Sequence, residues 1–377
     1  MFIKSETDIR RVIIVDISHL FYKYAWGGAK SLSTVVMVNN VPEVVDTTLP
    51  TYCIKQIHKW ANGGINPTVV CFDGRGCTVS RKGYFMKNSP KDNKTEYKSD
   101  RKVQNDAFYK GCESTLSLMY QGGVMCLKGD GYEADDLIKA AVDRAKIDYP
   151  NLPIDIITGD ADLVPLVDDQ VSVFLRSVKL TWAETPELEK PHYVQLTPKN
   201  YQEYMQGLTN YKNLLVPYNT VLLTKLLRGD KSDSIPVCNG ITPKKYNALI
   251  EKMIEDGVDV SHICYYDNPI ATICYRHNEQ PIPLDLLEST PTEQKMIKYS
   301  DPKCITNLCE ILKNYLTEEQ VEFARMVYNG INLNCAYVGL GEGLNRRPAA
   351  LTSPIKGYSA GQLQEVVARL KIRLPMM

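Results

Sequence analysis

Nine carboxylates fall in five short clusters along the first two thirds of the 377-residue chain, most of them just after a strand-like apolar run. Asp16 closes Val12-Ile13-Ile14-Val15, and Asp73 follows Thr68-Val69-Val70-Cys71-Phe72. Glu133, Asp135 and Asp136 lie in Gly131-Tyr132-Glu133-Ala134-Asp135-Asp136-Leu137. Asp160 and Asp162 follow Ile154-Asp155-Ile156-Ile157-Thr158-Gly159, and Asp230 and Asp233 sit in Leu226-Leu227-Arg228-Gly229-Asp230-Lys231-Ser232-Asp233. In an open parallel sheet the C-terminal ends of the strands form one edge, where ligands bind, so acids this far apart in sequence would meet there. Such a group repels itself unless hard cations occupy it, and Mg²⁺ or Mn²⁺ suit oxygen ligands. Two such ions about 4 Å apart drive in-line attack on a phosphodiester.

The sequence between the acids supplies elements suited to hold them. Val12 to Val15 reads as a buried parallel strand and Ile17 to Trp26 as the helix after it. Residues 27–50, with Gly27-Gly28, Pro42 and Pro50, read as an insertion carrying a hairpin around Val35 to Val38. Thr51 to Ala61 has helical spacing and stops at Asn62-Gly63-Gly64, and Thr68 to Phe72 is the second strand. Residues 75–105 are polar and basic, without a core pattern, before helical spacing returns at Phe108 to Tyr120. Val124 to Leu127 and Asp155 to Thr158 are further strands, separated by a helix from Glu133 to Lys146. Leu163 to Asp168 is a short helix and Val171 to Leu175 another strand. Residues 180–212 are mixed and proline-marked. Leu214 to Gly229, Lys244 to Asp256, Ile305 to Tyr315, Thr317 to Tyr328 and Ser359 to Ile372 read as helices, with a linker at Gly341 to Pro354. The alternation predicts an α/β fold with a largely parallel sheet flanked by helices.

Composition sets bounds. No segment approaches the roughly 20 apolar residues that span a bilayer, which predicts a soluble cytoplasmic protein without a membrane partner. Eleven scattered cysteines and no secretory signal fit free thiols in a reducing compartment. Lys+Arg and Asp+Glu balance at 44 each, which by itself argues against a nucleic-acid partner. The distribution reverses that reading: Arg75, Arg81, Lys82, Lys87, Lys91, Lys94, Lys98, Arg101, Lys102 and Lys110 crowd one stretch, so the neutral total can hide a basic face around an acidic centre. His262, Cys264, Cys274 and His277 are zinc-type residues, but their spacing matches no common finger, and Ile263 and Ile273 beside the cysteines favour burial.

The order and wording of the acidic clusters resemble the 5′-nuclease superfamily, which includes flap endonucleases, the 5′-nuclease domain of bacterial DNA polymerase I and bacteriophage 5′→3′ exonucleases. The resemblance covers roughly Val12 to Ala248 and rests most on Gly-Tyr-Glu-Ala-Asp-Asp, Thr-Gly-Asp-Ala-Asp-Leu and Arg-Gly-Asp-Lys-Ser-Asp-Ser-Ile-Pro. It implies a PIN-like core over residues 1–256, with a helical arch over about 75–120 and a helix–three-turn–helix over about 214–256, followed by a mostly helical C-terminal extension over 257–377. It also implies a first divalent-cation position held by Asp16 and Asp73, and a second held by Asp160, Asp162 and Asp233 with Asp230 beside them. The run Glu133, Asp135 and Asp136 contributes to both, for two Mg²⁺ with Mn²⁺ as substitute. Lys98 and Arg101 would act on the scissile phosphate from one helix face shared with Lys94, and Tyr97 would stack on a terminal base. Gly240 to Lys245 resembles a hairpin that grips duplex backbone through peptide N–H groups and K⁺, with Lys244 and Lys245 on phosphates; Thr242 stands where a second glycine is usual.

The activity so implied is that of a 5′→3′ exonuclease or flap endonuclease, a monomer acting in replication on DNA with 5′ flaps, nicks or ends and on RNA–DNA hybrid. The C-terminal helix reads as a cap on the core, with docking of replication proteins as a second use. Two rival readings share part of the pattern. A PIN-like ribonuclease has the carboxylate core but would lack the arch and the hairpin. A structure-specific DNA-binding protein with a decayed site would have lost acids, and all nine are present.

Overall fold

The computed structural model describes residues 9–26, 30–38, 41–74, 76–90, 94–99, 104–176, 193–207, 211–217, 220–260, 309–333, 336–338, 345–347, 351 and 353–375. His262, Cys264, Cys274, His277 and Arg101 lie outside these residues. In chain order, β1 (Val12–Asp16) passes directly into α1 (Ile17–Trp26), and a hairpin of β2 (Ser33–Val38) and β3 (Val41–Asp46) leads to α2 (Thr48–Trp60). Next come β4 (Thr68–Cys71), α3 (Cys77–Asn88), α4 (Asp106–Gln121), β5 (Met125–Leu127), α5 (Ala134–Asp148) and β6 (Ile154–Thr158). A 3₁₀ helix (Ala161–Leu166) precedes β7 (Val171–Arg176), β8 (Tyr193–Leu196), α6 (Tyr201–Gly207), α7 (Val221–Arg228) and α8 (Pro243–Glu255). The last described elements are α9 (Glu318–Ile331), β9 (Ala336–Val338), β10 (Asn345–Arg347) and α10 (Ala360–Ala368).

Six strands form one sheet in the order β5-β4-β1-β6-β7-β8, parallel throughout except for the β7–β8 pair. The expected α/β architecture is present. β1, β4 and β6 are buried along their whole length because helices cover both faces, which is why their sequences are unbroken apolar runs. Side chains alternate between two cores. Val12, Ile14, Val69 and Ile156 pack with α5, α7 and α9, whereas Ile13, Val15, Val70 and Ile157 pack with α1, α2, α4 and α10. Since β4 and β6 flank β1 on opposite sides, β1 marks the switch point of the sheet, where an open α/β fold leaves its ligand crevice. Asp16, Asp73 and Asp160 stand at or just beyond the C-terminal ends of these three strands.

Several expectations change. Residues 77–88 form a helix with a buried face of Ser80, Arg81, Tyr84 and Phe85, hidden in the sequence because half of that face is polar. This helix is docked on α9, where Gly330 leaves room for the Phe85 ring; a Cβ there would come within 2.2 Å of it. Residues 94–99 form a turn with Lys98 at φ 50, not the helix that would align Lys94 with Lys98. The helix expected from Leu214 begins only at Val221, and ahead of it Thr220 N–H donates to Pro217 O at 3.2 Å. β8 adds an antiparallel edge strand, and β9 pairs with β10, which falls inside what reads as a linker. α10 is capped by Ser359, whose hydroxyl accepts from Gln362 N–H, and buries Leu363, Val366 and Val367. No helix among the described residues is long and apolar enough to cross a membrane.

Candidate metal centre and nucleic-acid interface

Each acid is oriented by its own local structure. Asp16 ends β1, and its carboxylate accepts from the Thr158 hydroxyl at 2.8 Å and from Ser18 N–H at 3.1 Å. Asp73 lies two residues past β4 and accepts from Ala134 N–H at 2.8 Å. At the start of α5, Glu133 and Asp136 form a capping box, in which Glu133 N–H donates to the Asp136 carboxylate at 3.0 Å. That cap turns Asp136 inward, where it is fully buried and accepts from Arg81 Nη2 at 2.6 Å. Asp135, one residue earlier, faces the cleft instead. Asp160 caps the 3₁₀ helix by accepting from Asp162 N–H at 2.9 Å. Asp230 accepts from Ser232 N–H at 2.7 Å. The preceding Gly229 sits at φ +69, and a Cβ there would collide with Ile235 O at 2.4 Å, so only glycine allows this tight entry.

Two groups of carboxylates result. Oxygens of Asp135, Asp160 and Asp162 lie within 4.8 Å of one another, and so do oxygens of Asp162, Asp230 and Asp233. Asp16, Asp73, Glu133, Asp135 and Asp160 line one open cleft of about 490 Å³, together with Lys98, His19 and Arg176. Burial first, then the neighbouring charges of Asp73 and Asp160, pushes Asp16 up to about 7 even though Thr158 and Ser18 act against the rise. Burial and the nearby Asp160 likewise raise Asp135 and Asp162 well above the usual carboxylate range. Every donor is oxygen and the charges repel, so the residues present fit hard divalent cations. Eight of the nine predicted acids converge; Asp136 does not, because both its oxygens are engaged in the cap and with Arg81.

Lysine 225 was not foreseen. Its ammonium is buried in the second group, 2.8 Å from Asp230, 3.5 Å from Asp233 and also bonded to Asp162. Burial alone would lower its pKa, but Asp162, Asp233 and Asp230 raise it well above the lysine value. The available signal was a lone cation inside Val221-Leu222-Leu223-Thr224-Lys225-Leu226-Leu227, five residues before Asp230. Arg81, part of the basic stretch in the sequence, is buried between Glu133 and Asp136 rather than on a basic surface. Burial raises Glu133, but Arg81 and Lys98 outweigh it and bring the carboxyl down to about 2.

The expected nucleic-acid contacts divide. Lys98 reaches the cleft while its ammonium donates to Glu133 at 2.7 Å. Tyr97 is buried, stacked on Phe85 at 5.3 Å between ring centroids, and its hydroxyl donates to Glu133 at 3.0 Å, so in this structure its ring is not presented to a base. Lys94, Lys244 and Lys245 are exposed, the last two at the start of α8. Thr242 caps α8 by accepting from Lys245 N–H at 3.3 Å. Histidine 19 is packed: burial brings it down to about 3, so it is neutral, with Nδ1–H donating to Asp16 O and Nε2 accepting from the Tyr193 hydroxyl at 2.8 Å.

A family model described as 5′-3′ exonuclease, N-terminal resolvase-like domain, matches residues 11–195. Residues 11–195, just under half of the chain, thus match the 5′-nuclease family. It is similar to DNA polymerase I of Caldicellulosiruptor bescii, 29% identical over 183 residues that make up 48% of this chain and 18% of the polymerase. It is similar also to a 5′-3′ exonuclease of Mycoplasma pneumoniae, 33% identical over 163 residues, 42% of this chain and 47% of that protein. The chain thus spans under a fifth of the polymerase and about half of the exonuclease. A solved bacteriophage T5 flap endonuclease, in complex with DNA and metal ions, aligns at 15% identity and a TM-score of 0.46, covering 86% of this chain and 90% of that one. The matched segment holds Asp16, Asp73, Glu133, Asp135, Asp136, Asp160 and Asp162; Lys225, Asp230, Asp233 and the hairpin lie beyond it.

Proposed function

We propose that this protein is a structure-specific 5′-nuclease that cuts phosphodiester bonds at 5′ flaps, nicks and ends of DNA, and of RNA–DNA hybrid, during replication. The observation that carries this reading is the pair of carboxylate groups sharing Asp162 at the switch point of the sheet. Mg²⁺ is the proposed ion, with Mn²⁺ as substitute, because the donors are all hard oxygens. Divalent cations bound there lower the pKa of an attacking water and neutralise charge on the departing oxygen.

The chain's own residues set the geometry. Thr158, Ser18 and the Ala134 N–H aim the carboxylates of Asp16 and Asp73, so little reorganisation is needed when substrate arrives. Lys98 is pinned from two sides, its ammonium by Glu133 and its N–H by Asp233 O at 2.9 Å, which leaves a fixed positive charge at the cleft wall. Together with Arg176 it draws a phosphate toward the acids. Arg101 joins them in this reading. Lys244 and Lys245 hold the duplex by its phosphates, which carry no sequence information, so the cut is placed relative to the junction of single and double strand.

End-labelled flap, nicked and single-stranded substrates test this, each with Mg²⁺ and with chelator. The expected products form only with Mg²⁺, and their position follows the junction when the flap is lengthened. Cleavage in excess chelator, or preferred cutting of a 3′ arm, would overturn it.

A further inference from the structure

The turn between α7 and α8 is closed by side chains that the carboxylate centre does not use. Cys238 O accepts from Ile241 N–H at 3.0 Å, and Asn239 O accepts from Gln320 Nε2 at 2.8 Å. Ile241 O accepts from the Arg228 guanidinium. Gln320 reaches the turn from α9, 81 residues further along the chain, and is itself fixed there. Its Oε1 accepts from Thr317 N–H at 3.1 Å in the capping box of α9, and its backbone carbonyl accepts from Cys238 Sγ at 3.9 Å.

A monovalent cation seated in such a turn requires several carbonyl oxygens that converge with free lone pairs. Here an amide N–H and a guanidinium already occupy two of them, and the guanidinium charge repels a second cation at contact distance. The K⁺ implied by resemblance therefore does not fit this turn. We propose that Arg228 and Gln320 stand in its place and hold residues 238–241 in the shape that presents Lys244, Lys245 and the start of α8 to duplex phosphates. The chain then grips duplex without K⁺, and α9 becomes a positioning element of the interface. The duplex-binding consequence rests on the function proposed above; the replacement of the cation does not.

The test compares K⁺ with tetramethylammonium at equal ionic strength, in wild type and Gln320→Glu. This variant keeps the acceptor for Thr317 N–H, loses the donor to Asn239 O and sets a carboxylate charge beside that carbonyl, where a monovalent cation can bridge the two. Two readouts are taken: melting temperature without DNA, and duplex affinity by anisotropy in Mg²⁺ on an Asp160→Asn background, so that no strand is cut. Wild type should show the same melting temperature and affinity in both salts. Gln320→Glu should melt lower in tetramethylammonium and bind duplex about fivefold more weakly there, as expected for one lost hydrogen bond, and should recover both in K⁺. A wild type that is stabilised or tightened specifically by K⁺ would overturn the proposal, as would a Gln320→Glu variant indistinguishable from wild type in both salts. A wild type that binds no duplex in either salt would sink the duplex-binding reading, while the melting temperatures would still decide the replacement of the cation.

Discussion

The two carboxylate groups share Asp162 but balance their charge in different ways. Around Asp16, Asp135 and Asp160, no Lys or Arg ion pair is formed among the described residues, and burial with mutual repulsion holds Asp16 and Asp135 at raised pKa. Around Asp162, Asp230 and Asp233, the Lys225 ammonium is already present, and it brings Asp230 below the usual carboxylate value against the upward pull of burial. The first group therefore stores repulsion that only protons or cations relieve. The second carries a tethered cation, which any divalent ion must displace or share. A divalent cation should enter the first group more readily.

The largest effect should come from the first group. Asp135→Asn removes a carboxylate at the cleft without changing its volume, and single-turnover cleavage should fall by at least about a thousandfold. Duplex affinity, measured by anisotropy, should change little. Loss of binding in step with rate would mean that Asp135 shapes the interface rather than the chemistry.

The next effect distinguishes the groups. Lys225→Met leaves two buried carboxylates, Asp230 and Asp233, and the half-buried Asp162 without their ammonium, which should cost the metal-free protein about 3–5 kcal/mol of stability. The same change should tighten divalent binding to the second group by about tenfold, because the competing charge is gone. Calorimetric titration that showed weaker binding would break the comparison.

A smaller effect follows from pH. Asp16 holds a proton in the folded chain up to about 7 but in the unfolded chain only up to 3.8. Between those values the folded state binds more protons, so metal-free stability falls as pH rises through this window. Glu133 works in the opposite direction and lower: its folded value of about 2 lies below 4.5, so its contribution is present above 4.5 and is lost as pH falls toward 2. The gain in melting temperature on adding Mg²⁺ should thus be larger above pH 7 than below it, and an equal gain would contradict the stored repulsion. The smallest effect is expected at the hairpin. Lys244→Ala with Lys245→Ala should weaken duplex binding a few-fold and reduce the salt slope by about 2, one counterion for each lost phosphate contact.

The carboxylate centre was legible because strand ends converge in a parallel sheet, and the apolar runs before Asp16, Asp73 and Asp160 announced those strands. Glu133, Asp135 and Asp136 were legible as a unit but not one by one. Which acid faces the cleft depends on the capping box, and its rotation is invisible in the sequence. Arg81 and Lys225 were missed for a related reason: a cation inside an element reads as surface until the tertiary fold shows the acids around it. Tyr97 was placed beside DNA on helical spacing, whereas the chain forms a turn there and buries the ring on Phe85. The part played by α9 was out of reach, since the Gln320–Asn239 bond spans 81 residues and leaves no local pattern.

The most direct measurement is a Mn²⁺ titration followed by paramagnetic resonance, in wild type and in Asp162→Ala. Asp162 is the one carboxylate common to both groups, so wild type should bind about two ions and Asp162→Ala should lose the tight binding of both, in parallel with its loss of cleavage. A wild type that binds no ion and still cuts, or an Asp162→Ala variant that keeps both ions and full activity, would contradict a paired-cation centre built on these acids.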